Sequence, residues 1–121
     1  MNNDLLAELK PVVCATDVPL RTGFYRIDEK SPATYVIMLP TSETYEFYAD
    51  DRPYAETQEV TLLIFSKGDS TALRTRLAKD LFRAGFTVSG RRFDGYDSVT
   101  EYYQYSIVVS KCYEIGGDYW N

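Results

Sequence analysis

The most constraining feature of the sequence is the segment from Glu56 to Tyr113, which reads as a strand, a helix and two further strands. Its first part, Glu56–Phe65, begins polar and ends as a continuous apolar run. This pattern is typical of a strand that becomes more deeply buried toward its end. Because side chains alternate along a strand, two apolar sets are expected on opposite faces of a sheet: Val60, Leu62 and Ile64 on one, Leu63 and Phe65 on the other.

The clearest single element is a helix from Ser70 to Ala84. Asp69 or Ser70 can cap its first amide groups, and Gly85 with Phe86 gives a strong stop, because glycine adopts the left-handed conformation that ends many helices. An apolar stripe is expected to face the sheet: Leu73, Leu77 and Leu81, flanked by Ala72, Phe82 and Ala84. The helix is predicted to cross one face of the sheet and to leave the opposite face wetter.

The N-terminal part predicts a short helix followed by a stretch rich in proline. Asn2–Lys10 begins with capping residues and carries leucines at helical spacing, and Pro11 is expected to end it. Between Pro11 and Pro32, two pieces are candidates for short extended structure: Val12–Cys14 and Gly23–Ile27.

Two strands are predicted before the central one. Ala33–Leu39 is rich in β-branched and aromatic residues and is ended by Pro40. A turn at Thr41–Glu43 leads into a second strand, Thr44–Ala49, which Asp50–Pro53 interrupts. Such short connections favour antiparallel neighbours.

The C-terminal part predicts a hairpin. Phe86–Phe93 reads as a strand broken by Gly90, Asp94–Ser98 as a loop, and Glu101–Tyr113 as the longest strand. The fold class is therefore α+β, an α/β sandwich with a mostly antiparallel sheet of about four to five strands. One main helix is expected on one face of the sheet, beside a short N-terminal helix. Residues 1–121 form a single domain, from which the tail 114–121 extends.

The charge and the missing residue types exclude several functions. The net charge of −5 makes the chain a poor candidate for a nucleic-acid-binding protein, because such binding requires Lys and Arg to neutralise phosphates. Histidine is absent, which removes the commonest general base and metal ligand. Cys14 and Cys112 are expected as buried free thiols in a reducing cytoplasm. Neither a signal peptide nor a membrane span is recognisable.

Carboxylates cluster at three places: Asp50/Asp51, Glu56/Glu59 and Asp94/Asp97/Glu101. A two-metal nuclease needs such groups to converge, but aspartates beside proline or glycine more often serve as turn residues, and we favour that interpretation. Motifs for a nucleophile elbow, a P-loop or a dinucleotide fingerprint are missing. We therefore predict no catalytic residues, no metal and no cofactor.

The surface residues with the clearest signal are aromatic or basic. Tyrosine occurs 11 times in 121 residues, which suits subunit interfaces but also ordinary strands. Arg91-Arg92 is the only dense basic pair. It could contact phosphate, but a solvated strand edge or one half of an intersubunit ion pair is the favoured interpretation.

Several segments, taken in order, resemble a known family. They are the acidic turn Asp50-Asp51, the strand Glu59–Phe65, the helix end Leu81-Phe82-Arg83-Ala84-Gly85-Phe86 and the last strand Tyr102-Tyr103-Gln104-Tyr105-Ser106-Ile107. From about Asp4 to Tyr113 the chain is similar to the tail-terminator (tail-completion) proteins of long-tailed bacteriophages and prophages. Members of that family often have a histidine where Gln104 stands. The family is not catalytic, so this departure affects no known function.

The resemblance implies a structural role in the virion, at the junction of tail and neck, after synthesis in the host bacterial cytoplasm. Such proteins form a homo-oligomeric ring, typically a hexamer, that caps the tail tube and stops its polymerisation. The implied partners are other copies of the chain, the tail-tube protein and the head–tail connector or stopper protein. DNA passes through the lumen without specific binding, and no membrane is involved.

Charge indicates which residues could form the ring contacts. Two groups carry opposite charges on loop or edge positions: Asp50, Asp51, Arg52 and Tyr54 in one, Arg91 and Arg92 in the other. Tyr119 and Trp120 are the candidate contacts with the tube or connector. Three alternatives stay open from the sequence: another phage neck or head–tail adaptor, a generic binding module, and a small metal-dependent nuclease-like enzyme.

Overall fold

An antiparallel sheet and two helices form the fold in the computed structural model, which describes residues 4–22, 32–49 and 52–115. Within these ranges, the side chains of residues 21–22, 45–49 and 52–54 are not described. The elements are α1 (Leu5–Cys14), β1 (Leu20–Thr22), β2 (Thr34–Ala49), β3 (Arg52–Ser66), α2 (Thr71–Arg83), β4 (Thr87–Asp97) and β5 (Tyr102–Glu114).

The strands are ordered β1-β2-β3-β5-β4 across the sheet. Among the four strands β2 to β5, every neighbouring pair is antiparallel, as the short connections predict. The three-residue β1, which the sequence pattern does not predict, pairs in parallel with Val36–Met38 of β2. An antiparallel sheet of four strands with two helices confirms the α+β class.

The main core lies between the helices and one face of the sheet. The predicted face of β3 is buried there with residues from both helices and from β5: Val60, Leu62, Ile64, Leu5, Leu9, Val13, Leu77, Leu81, Ile107 and Val109. Leu73 of the predicted stripe is only partly buried at its margin. Phe82, which was expected beside that stripe, is instead 76% exposed. Each fully buried aliphatic side chain contributes about 1.5–3 kcal/mol relative to an exposed one.

Helix α1 is longer than the sequence predicts, because Pro11 lies inside it and does not end it. The expectation of extended structure at Val12–Cys14 is therefore also wrong. An internal proline costs about 3 kcal/mol. The last turn offsets this cost by burying Val13 in the core and by accepting a hydrogen bond from Arg76 Nη2 to the Ala15 carbonyl oxygen at 3.0 Å.

Strand β2 is continuous through Pro40, so the turn predicted at Thr41–Glu43 is wrong. Thr41 is an extra residue at a register shift, and its hydroxyl donates to the Glu59 carboxylate at 3.1 Å. Beyond Met38 the outer side of β2 has no described partner strand. Proline is tolerated at such an open edge, particularly beside a bulge.

Strand β4 is also longer than predicted. It continues to Asp97, so the loop expected at Asp94–Ser98 begins only at Ser98. The expected break at Gly90 is a register shift between Val88 and Gly90, and a second shift precedes Gly95. Both glycines therefore lie at bulges in the pairing of β4 with β5, and a bulge accommodates an extra residue without ending the strand.

The predicted end of α2 is confirmed. Gly85 has a φ of 92°, its N–H donates to the Phe82 carbonyl oxygen at 3.1 Å, and the Phe86 N–H donates to that of Leu81 at 3.0 Å. These two bonds are the Schellman arrangement. At the other end, Asp69 accepts a hydrogen bond from the Thr71 N–H at 2.9 Å.

A second, aromatic cluster lies on the opposite face of the sheet, where the sequence predicts a wetter surface. Tyr35, Phe65 and Tyr102 come from three adjacent strands and are buried together with Ile37. The rings of Tyr35 and Phe65 stack with centroids 4.9 Å apart, and Tyr102 meets Tyr35 edge-on at 5.3 Å. The Tyr102 hydroxyl donates to the Pro32 carbonyl oxygen. This end of the second face is therefore a small core of its own.

Helix α1 is joined to β5 by a polar contact at the edge of the main core. The Tyr113 hydroxyl donates to one oxygen of Glu8, and Lys111 Nζ lies 3.0 Å from the other. The hydrogen bond from Tyr113, followed by the contacts of Lys111, holds the pKa of Glu8 below its ordinary value. Burial and the bond to Glu8 raise the pKa of Tyr113.

We expect Leu77→Ala to lower the free energy of unfolding by about 2–5 kcal/mol, because Leu77 is 0% exposed and its removal leaves a cavity in the main core. Lys79→Ala, on the exposed side of the same helix, is the matched control. Urea unfolding measures both. A loss below about 0.5 kcal/mol for Leu77→Ala would place it among ordinary surface substitutions and contradict the packing of α2 on the sheet.

We expect Glu8→Gln to lower the melting temperature at neutral pH and to lose this effect progressively as the solution is acidified below the ordinary pKa of glutamate. The folded pKa of Glu8 is depressed, so its carboxylate stabilises the fold above the unfolded pKa, and this contribution disappears as the pH falls through the folded value. Tyr113→Phe removes the donor and should show the same pH dependence. A difference between Glu8→Gln and wild type that stays the same as the pH falls argues against the contact.

Candidate protein-binding surface

Helix α2 and the edge strand β4 form a strongly basic surface on an acidic chain. Residues 71–93 carry six basic side chains and one acidic one, although the whole chain has a net charge of −5. The basic residues are Arg74, Arg76, Lys79, Arg83, Arg91 and Arg92, and the acidic one is Asp80. We call the space between the two elements the α2–β4 groove.

The half of the groove near the start of α2 is a pocket of about 360 Å³, and three of its lining residues are arginines: Arg74, Arg91 and Arg92. Arg74 is held in place by several contacts. Its guanidinium carbon lies 3.8 Å from the centroid of the Tyr105 ring, and its Nε donates to Ser70 Oγ at 3.0 Å. An arginine fixed in this way presents its charge at low entropic cost.

The other half of the groove is a pocket of about 400 Å³ that also includes Arg91. Phe82 and Val88 contribute apolar surface to this pocket, which Lys79 and Arg83 also line. The two halves thus meet at Arg91, and together they combine positive charge with exposed apolar surface.

The charges of the groove are only partly neutralised within the described residues. Arg76 pairs with Asp80 at 3.6 Å, and Arg92 Nε lies 2.6 Å from Asp94 Oδ1. No described carboxylate pairs with Arg91, Lys79 or Arg83, which are the residues that line the apolar half. Such a groove attracts carboxylates or phosphates.

A second surface lies at the tip of the β4–β5 hairpin; we call Tyr96, Val99 and Tyr103 the hairpin-tip patch. All three are exposed, Val99 by 89%. The Tyr96 and Tyr103 rings pack with centroids 4.6 Å apart. Val99 is exposed on the turn next to this ring pair, and exposed apolar side chains close together are a candidate contact surface for another protein.

The turn below this patch is well defined. Asp97 Oδ1 accepts hydrogen bonds from the Val99 N–H at 2.8 Å and the Thr100 N–H at 3.4 Å, and these bonds lower the pKa of Asp97. Glu101 has a φ of 65°, and its N–H donates to the Asp97 carbonyl oxygen at 2.7 Å. Val99 is therefore presented on a fixed turn.

Three of the carboxylates that the sequence groups together have structural partners. Asp94 pairs with Arg92, Asp97 holds the turn, and Glu59 accepts from Thr41. Among the residues that the structure describes, no three His, Cys, Asp or Glu side chains form a group suited to a metal ion. The pocket that contains Asp94 and Asp97 measures about 230 Å³, which is smaller than most ligand sites.

Both cysteines are free, as predicted, but they are exposed and not buried. Cys14 is the last residue of α1. Cys112 lies near the end of β5 on the face opposite the helices, and the aromatic cluster covers that face only near Tyr102, at the other end of the strand. The sequence predicts which face of β5 Cys112 lies on. It does not predict that the aromatic cluster leaves that face uncovered at Cys112.

The predicted interface residues fall on two parts of the chain. Arg91 and Arg92 are exposed on β4, and β4 is an edge strand, as predicted. Arg52 and Tyr54 lie in β3, with side chains outside the description. Asp50, Asp51, Tyr119 and Trp120 lie outside the described residues. Their proposed contacts stay predictions.

Sequence reasoning missed the other components of both surfaces. Arg74 reads as one of several solvated helix residues, and nothing in the spacing reveals its stacking on Tyr105. Tyr96 falls in the predicted loop Asp94–Ser98, and Val99 directly follows it. A signal was present in Tyr96 and Val99, since apolar residues beside a turn are unusual unless they have a partner.

Within the described ranges, neither helix has the length and apolar character needed to cross a bilayer. The chain matches no protein-family model and no curated protein. Its function is therefore argued from the two surfaces and from the sequence resemblance.

Proposed function

We propose that the protein is a structural component of a bacteriophage virion that assembles into a ring, caps the tail tube, stops its polymerisation and offers a docking face to the head connector. The observation that carries the proposal is the pair of separate candidate surfaces, the basic α2–β4 groove and the exposed hairpin-tip patch. The resemblance to tail-terminator proteins supplies the identity of the assembly. Such a protein would reside at the tail–neck junction of the virion.

A ring requires each copy to use two different surfaces. A contact that joins one surface to another, unlike surface generates a ring when its rotation closes. The groove lies along one edge strand, β4, while the acidic end of the β2–β3 hairpin belongs to the other side of the sheet. This arrangement supports head-to-tail association, for which the resemblance suggests six copies.

The hairpin-tip patch suits a different partner. It lies where β4 ends and β5 begins, at the turn that joins them. If neighbours meet across the sheet edges, the tips of all copies lie on one rim of the ring. A rim of paired tyrosines and Val99 fits stacking on the tail-tube protein or on the connector.

The charge of the chain suits the passage of DNA. Six copies at −5 carry −30, and contacts between copies would occupy the basic residues of the groove. The lumen would then repel phosphate, which favours sliding over binding. A head–tail adaptor elsewhere in the neck would use the same two surfaces, and tail length separates that function from termination.

We expect particles assembled without this protein to carry overlong tails that fail to join heads. Complementation with Tyr96→Ala/Val99→Asp should fail in the same way, because the substitutions remove the apolar patch from an exposed turn and leave the core intact. Electron microscopy of negatively stained lysates measures tail length.

The control for this experiment is Ala7→Asp, at an exposed position on α1 outside both the groove and the tip, and circular dichroism checks that both variants fold. Tails of normal length, joined to heads in the absence of the protein, would overturn the proposed function. Overlong tails that are rescued by the tip variant would exclude the patch as the tube contact.

A further inference from the structure

We propose that the half of the α2–β4 groove near the start of α2 binds a phosphate group carried by a small ligand such as a nucleotide. Two arginines that have no described carboxylate partner, Arg74 and Arg91, line this pocket of about 360 Å³. The inference goes beyond the structural role argued above, because it concerns a ligand of the free chain. Contacts between copies at the groove would cover the pocket.

Arg74 is held so that one edge of its guanidinium stays free. The guanidinium carbon lies 3.8 Å from the centroid of the Tyr105 ring. Nε donates to Ser70 Oγ at 3.0 Å, and Nη2 donates to Thr71 Oγ1 at 3.3 Å. In the part of the chain that the structure describes, Nη1 makes no hydrogen bond, so Nη1 and the second hydrogen of Nη2 can donate together to one oxyanion. Because the side chain is already ordered, binding costs little additional entropy.

Arg91 projects from β4 on the same side of the sheet as α2. It pairs with Ile107 across the β4–β5 ladder, and Ile107 lies in the main core beneath the helices. Residues that pair across an antiparallel ladder share a face, so Arg91 and Arg74 line the pocket from the strand and from the helix. Arg92 alternates to the opposite face and pairs with Asp94, so it is not one of the two binding cations.

The charge of the pocket matches a phosphate better than a single carboxylate. A phosphate monoester carries about −1.5 to −2 charges at pH 7, so two unpaired arginines neutralise it, whereas one carboxylate leaves a positive charge in excess. Asp69 lies near Arg74, but its carboxylate accepts hydrogen bonds from the N–H and the hydroxyl of Thr71. The pKa of Asp69 is lowered first by the bond from that hydroxyl and only last by the charge of Arg74.

An aromatic surface adjoins the two arginines and would contact the rest of the ligand. Phe93 lines the same pocket, is 54% exposed, and has its ring centroid 5.1 Å from that of Tyr105. A planar base stacked on the exposed part of Phe93 would strengthen binding, as aromatic side chains do in sites for nucleotides. The net charge of −5 opposes a long polyanion outside the pocket, which favours a small ligand over a nucleic acid.

The test is isothermal titration calorimetry of the isolated chain with adenosine monophosphate, inorganic phosphate and adenosine in about 50 mM salt. We expect saturable binding of adenosine monophosphate, weaker binding of inorganic phosphate and no binding of adenosine. Arg91→Gln removes a charged donor, and Arg74→Lys keeps the charge but loses the planar edge. Each should weaken the binding of adenosine monophosphate by at least about tenfold.

Two further measurements locate the ligand in the pocket. Adenosine monophosphate should shift the Nε–H signal of Arg74 in the nuclear magnetic resonance spectrum. Phe93→Ala should weaken the binding of adenosine monophosphate and leave that of inorganic phosphate unchanged. If wild type binds the two ligands equally well, the site takes free phosphate and the stacking on Phe93 is wrong.

The matched control is Lys10→Gln, which removes one positive charge at an exposed position on α1, outside the groove. It should bind adenosine monophosphate as wild type does. Thermal unfolding verifies that every variant folds.

Four outcomes would overturn the inference. Neither phosphate ligand binds saturably; Arg91→Gln and Arg74→Lys bind as wild type does; a glutamate-rich peptide binds the pocket more tightly than adenosine monophosphate, which would assign the pocket to an acidic protein; or a single-stranded oligonucleotide does so, which would assign it to nucleic acid. All these titrations use the isolated chain, so their failure leaves the tail-length test of the proposed function unaffected.

Discussion

The pairing of β3 with β5 is the interaction on which the rest of the structure depends. Its register runs without a shift from Ala55–Glu114 to Ser66–Tyr103, whereas the ladders on either side contain bulges. The two strands supply residues to both cores, the aliphatic one beneath the helices and the aromatic one opposite. This regular centre allows the outer strands to be irregular, since burial and not edge pairing fixes the register.

The irregular outer strands determine how the molecule can associate. An edge interrupted by bulges resists extension of the sheet, so an association such as the proposed ring would use side chains. The chain distributes its charge accordingly, with an excess of basic residues along α2 and β4 and an excess of acidic residues at the end of the β2–β3 hairpin. Such a distribution favours head-to-tail contacts over two-fold ones, because like surfaces would repel each other.

The sequence predicts the features that depend on neighbouring residues, such as helix ends and strand alternation. It does not predict the features that depend on tertiary packing. The end of α2 at Gly85 follows from the glycine itself, and the alternation in β3 separates the two cores correctly. The sequence predicts that Pro11 ends the first helix and that Pro40 ends a strand. Instead, burial of Val13 stabilises α1 beyond Pro11, and the open edge of β2 tolerates Pro40. The groove could be predicted only as a basic pair on an edge strand, since its depth depends on how α2 and β4 lie side by side.

Electron microscopy of the assembled ring, at a resolution that separates β-strands, tests the central claim most directly. The account predicts that neighbouring copies contact one another head to tail through different surfaces, and that the Tyr96–Val99 turns form one rim. Copies related by two-fold contacts, or Tyr96–Val99 turns that do not share one rim, would contradict the account.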